Sequence, residues 1–102
     1  MAKFLLITRG GTMPDSPEEG ALVMQSWMDW FASMGDAVID PGSPVSRVRI
    51  VADDGTDRPG DMPPITGYTV VDVADIDAAV GLAKRAPLGD GMSIEVAETA
   101  RM

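Results

Sequence analysis

The sequence predicts a single α+β domain with the element order strand–helix–strand–strand–helix–strand. Two observations carry this. Short runs rich in β-branched and aromatic residues alternate with two segments whose apolar residues recur every three to four positions. The chain is also short, at 102 residues and 10.7 kDa, which suits one domain with one thin core spanning residues 1–102.

Residues 3–9 (Lys-Phe-Leu-Leu-Ile-Thr-Arg) are apolar on both alternating faces and stop at Gly10-Gly11. They predict a first strand covered on both sides. Ser16 is a good N-cap, Pro17 suits the first helical position, and Glu19 completes a capping box. Met24, Trp27, Met28, Phe31 and Met34 then follow helical spacing, widened by Val23 and Trp30, up to Gly35. The spacing predicts a helix over 16–34 with that stripe facing the core. Residues 36–42 read as a short extended piece ending in a turn. Residues 45–52 alternate, with Val48 and Ile50 on one side and Arg47 and Arg49 on the other, and predict the second strand. Residues 56–64 hold Pro59, Pro63 and Pro64 and read as a loop. Residues 65–73 are β-branched and aromatic and predict the third strand. Asp75 caps a second helix on which Ile76, Ala79, Val80 and Ala83 share a face, and Pro87 ends it. Residues 92–98 alternate and predict the last strand.

This order is the split βαβ, or ferredoxin-like, motif. Two helices cover one face of its sheet. Leu5, Ile7 and some of Tyr68, Val70 and Ala97 then lie on the open face. Exposed apolar surface costs about 25 cal/mol per Å², and a second copy packed sheet on sheet is the simplest cover. The expectation is a homodimer.

Composition narrows the chemistry. The chain has no Cys and no His, which excludes disulfides, thiolate nucleophiles, imidazole bases and their zinc sites. A net charge of −8 argues against nucleic acid and anionic membranes as partners. The Phe4–Ile7 run is too short for a secretory leader or a membrane span, so a cytoplasmic protein is expected. The acidic residues lack the spacing of a calcium loop; no metal and no cofactor are expected.

The run from Ser26 to Pro44 (Ser-Trp-Met-Asp-Trp-Phe-Ala-Ser-Met-Gly-Asp-Ala-Val-Ile-Asp-Pro-Gly-Ser-Pro) resembles the YCII-related family, also called the DGPF domain. Gly67-Tyr68-Thr69-Val70-Val71-Asp72, Ala86-Pro87 and Gly91-Met92-Ser93-Ile94-Glu95-Val96 resemble its second half, and Phe4-Leu5-Leu6-Ile7 its start. The resemblance implies a ferredoxin-like unit pairing into a dimeric α+β barrel. One branch of the family carries a His–Asp pair suspected of catalysis, its His on the first helix. Here that stretch is Gln25-Ser26-Trp27-Met28, and the Asp-Gly-Pro-Phe signature is absent, so no catalytic role carries over.

Five residues are candidate ligand contacts. Asp40, beside a turn and near two Trp in sequence, has the character of a general base; equally, an Asp there bonds the amides of its own turn. Trp27 and Trp30 can form a stacking wall between helix and sheet or ordinary core. They cannot both face the core fully, which puts one at a pocket rim or a subunit contact. Tyr68, next to Gly67, can donate a hydrogen bond to a ligand or pack across a dimer. Arg9 is a candidate oxyanion partner. Arg9-Gly10-Gly11-Thr12 precedes a helix as phosphate-cradling turns do, but Asp15, Glu18 and Glu19 repel an anion there. The functional expectation is a small dimeric domain that binds a small, partly apolar ligand in a helix–sheet cleft without catalysis. The alternatives are a cofactor-independent isomerase, lyase or monooxygenase with Asp40 as base, and an interaction module using a sheet edge.

Overall fold

The computed structural model describes residues 1–11 and 14–100; Thr12 of the glycine turn lies outside them. The chain runs β1 (Ala2–Arg9), α1 (Pro17–Met34), one 3₁₀ turn (Gly35–Ala37), β2 (Val38–Pro44), β3 (Arg49–Val51), β4 (Asp57–Pro59), β5 (Ile65–Val73), α2 (Ile76–Ala83) and β6 (Ser93–Glu98). The fold is α+β, a four-stranded sheet in the order β2-β5-β1-β6 with two helices. Every neighbouring pair in that sheet is antiparallel. No helix among the described residues is long and apolar enough to cross a membrane.

The helix ends form as their residues dictate. The Ser16 hydroxyl accepts the Glu19 N–H at 3.1 Å, and the Glu19 carboxylate reaches back to the Asp15 N–H at 3.1 Å. The Glu19 N–H, which a helix start would leave unpaired, is thereby satisfied. Gly35 ends α1 at φ 57, a conformation that disfavours side chains. Asp75 caps α2 through the Ala78 N–H at 2.8 Å.

Strand register separates the two faces of the sheet. Phe4 lies opposite Val71, and Leu6 opposite Thr69 and Val96. Phe4, Leu6 and Val71 are fully buried beneath Trp30 and Met34 of α1 and Ala79 of α2. The small side chain of Ala79 lets α2 sit close to the sheet. The Trp30 indole N–H donates to the Leu82 carbonyl at 3.0 Å, which ties α1 to α2. Trp27 meets Trp30 edge to face, with ring centres 5.4 Å apart.

The alternate residues form the other face. Lys3 lies opposite Asp72, Leu5 opposite Val70 and Ala97, and Ile7 opposite Tyr68 and Glu95. Leu5, Ile7, Val70 and Ala97 stay part-exposed, and Tyr68 is 38% exposed. Among the described residues, Asp72 Oδ1 is enclosed with no hydrogen-bond partner. The residues expected on an open face are the ones found there.

The second strand differs from expectation. The main sheet takes residues Val38–Pro44, read from sequence as an extended piece and turn, as its edge. The alternating 45–52 segment instead supplies β3, which pairs with β4 in a separate hairpin. Part of the predicted 56–64 loop is therefore a strand. An edge strand tolerates Pro41 and Pro44 because its outer N–H groups have no ladder partner. Register shifts flank Asp40, and they obscure the alternation that marks a regular strand.

In the hairpin, Arg49 pairs with Asp57, and Arg58 pairs with Asp61 at 2.8 Å. That partner holds the Asp61 carboxyl below its ordinary value. The Thr56 hydroxyl and N–H donate to Asp54 at 2.6 and 3.0 Å, with the same effect on Asp54.

The helical stripe also divides. Trp30 and Met34 are buried, whereas Met24 and Met28 are 58% and 56% exposed. Helical periodicity defines a face, not how much of the helix length lies over the sheet. Here the buried contacts gather in the C-terminal half of α1.

Candidate functional site

The overhanging half of α1 leaves a recess of about 410 Å³. Asp15, before the helix, and Glu19, Val23 and Trp27 on successive turns form one wall. Pro87, Asp90 and Met92, between α2 and β6, form the other. The antiparallel pairing of β1 with β6 brings these walls together, because Arg9 lies opposite Ser93. The chain leaving β1 is thereby set beside the chain entering β6. The Gly89 N–H donates to Met92 Sδ at 3.3 Å, which fixes that turn against the recess.

The charge of the lining has one sign. Among the described residues, Asp15, Glu19 and Asp90 line the recess, and no Lys or Arg does. Between Arg9 and Arg47 the chain contains no basic residue at all. Among the described residues no group of three His, Cys, Asp or Glu side chains is arranged to hold a metal ion.

The five sequence candidates do not converge. Trp27 lines the recess, while Trp30 is buried in the core with its N–H bonded to α2. Asp40 pairs with Val70 on the edge strand and is exposed; its Oδ1 accepts the Gly42 N–H at 2.8 Å. Tyr68 lies opposite Ile7 on the open face. Arg9 ends β1, where its Nε donates to Glu95 at 2.7 Å. Only Trp27 among the five lines the recess.

Sequence reading did not single out Asp90 or Met92 as site residues. Their signal is topological: the Gly89–Gly91 turn acquires a partner only once β6 is paired with β1.

Compared with known proteins, the chain matches no protein-family model, and no curated protein matches its sequence.

Proposed function

We propose that the protein is a cytoplasmic homodimer of ferredoxin-like βαββαβ units related to the YCII-related family, and that it binds a small, partly apolar ligand without catalysis. In this reading two open faces stack into a dimeric α+β barrel, and the recess beside Trp27 receives the ligand. The strand order β2-β5-β1-β6, with the hairpin set aside, supports the unit.

One observation carries the dimer. The chain exposes 7232 Å², whereas a compact monomer of its mass exposes about 5,500 Å². Its radius of gyration is 14.9 Å, against about 12.8 Å for a compact domain of this length. The surplus area is on the scale that stable homodimers bury per subunit. The part-exposed apolar residues of the open face supply an apolar centre for such an interface.

The recess supports the ligand reading. Its volume falls in the range of small-molecule sites, and an aromatic wall with a few polar groups is typical of them. The enzymatic alternative gains nothing from Asp40, whose carboxylate is engaged within its own turn.

Sedimentation velocity tests the dimer: a single species of twice the chain mass at micromolar concentration is expected, and a persistent monomer refutes it. Thermal-shift screening against a metabolite panel tests the ligand. A true ligand at a hundredfold excess over its Kd adds about 2.7 kcal/mol of stability; a panel with no stabilising member refutes the ligand reading.

A further inference from the structure

Resting on the reading of the recess as a ligand site, we propose that its ligand is an organic cation, an amine or quaternary ammonium carrying an apolar or aromatic group. Three features of the recess meet in this assignment. It has room for a small molecule, at about 410 Å³. Trp27 offers an indole, the aromatic best suited to attract an ammonium group, and Val23 and Met92 offer apolar contact. Among the described residues, Asp15, Glu19 and Asp90 are its only ionisable lining residues, all acidic. A concave surface lined by one sign of charge focuses the field and concentrates counter-ions of the other sign.

Two competing ligand classes fit less well. The start of α1 borders the recess, and a helix start ordinarily favours anions. Here little is on offer: Pro17 has no N–H and Ser16 accepts the Glu19 N–H, which leaves the Glu18 N–H in the first turn, on a residue that is itself acidic. An anion would gain one free amide and meet the carboxylates of Asp15 and Glu19 that line the recess. A bound metal ion needs carboxylates grouped closely enough to share it, and the described residues show no such group. An organic cation does not need converging ligands. It needs a diffuse negative field and an aromatic surface.

The test compares three probes of similar size: phenethylammonium, the neutral phenethyl alcohol and the anionic hydrocinnamate. Binding is read at low salt from the indole N–H resonances, so that a shift at Trp27 is distinguished from one at Trp30. The ammonium probe is expected to bind about tenfold tighter than the alcohol, to shift the Trp27 signal first, and to weaken as salt is added. Hydrocinnamate is expected not to bind. The variants Asp15→Asn and Asp90→Asn each weaken the ammonium by up to about fivefold and leave the alcohol unchanged. Circular dichroism verifies that each variant is folded.

If alcohol and ammonium bind equally at Trp27, the cation assignment is wrong and the recess remains a ligand site. Preferred binding of hydrocinnamate has the same meaning. Ammonium binding that leaves Trp27 unmoved, or that ignores both Asn variants, places the cation elsewhere and overturns the assignment. If none of the probes perturbs Trp27 at millimolar concentration, both the assignment and the ligand reading fail.

Discussion

Replacing Trp30 with Phe tests the assignment of the two tryptophans to core and recess. Trp30 is 4% exposed and its N–H reaches the Leu82 carbonyl. Losing that bond costs about 1 kcal/mol. The cost is not larger, because Leu82 O also accepts the Arg85 N–H at 3.1 Å and is not orphaned. Removing the fused ring from a packed site adds about 1–2 kcal/mol for lost contacts and the void left behind. The total of about 2–3 kcal/mol is a large part of the roughly 5–15 kcal/mol that holds a small domain together. It lowers Tm by about 10–20 °C. Trp27→Phe, at a part-exposed wall, costs less than about 1 kcal/mol. Urea denaturation of both variants at one protein concentration measures the difference, the concentration being fixed because dimerisation feeds into stability. Equal costs, or a larger cost for Trp27→Phe, refute the assignment.

Three further predictions concern the strands and the hairpin. Gly42→Ala is expected to destabilise by about 3 kcal/mol or more, because φ is +75 and an added Cβ overlaps the Tyr68 carbonyl oxygen. Gly35→Ala, with open space around it, costs about 1–3 kcal/mol of backbone strain at φ 57 and ψ −131 and no steric overlap, and thermal melts rank the two. Ile7→Lys sets a charge on the open face and is expected to weaken the dimer about a hundredfold or more while the monomer stays folded; sedimentation reads the outcome, and an unchanged dimer refutes pairing through this face. The Asp54 and Asp61 carboxyls are held below their ordinary 3.8. They therefore stabilise the hairpin above about pH 4 and lose that contribution as the solution is acidified further. Carboxyl NMR titration that finds either group at or above 3.8 contradicts the hydrogen bonds assigned to it.

The sequence was most legible where local chemistry sets structure. Ser16, Pro17 and Gly35 delimit α1, and Asp75 starts α2, because caps act within a few residues. The open face was legible too, since Leu5 and Ile7 alternate with Phe4 and Leu6 and two helices cannot cover both sets. Strand partners were less so. Val48 and Ile50 alternate as a strand should, but alternation does not say which strand comes alongside. The edge strand, meanwhile, is written in Asp40-Pro41-Gly42, a turn vocabulary. The recess was hardest to foresee, because Trp27 and Asp90 lie 63 positions apart in the chain and meet only through the pairing of β1 with β6.

The two borders of the sheet are unequal. Along β2, Pro41 and Pro44 have no N–H to offer, and the register slips twice. Along β6, six residues keep regular pairing on their inner side, and their outer amides are the better template for a foreign strand. Accretion of further strands is thus confined to one direction. There Glu98, free of the ion pair that ties Glu95 to Arg9, sets a like charge against any identical neighbour, which discourages runaway fibre growth in a chain so rich in β-branched segments.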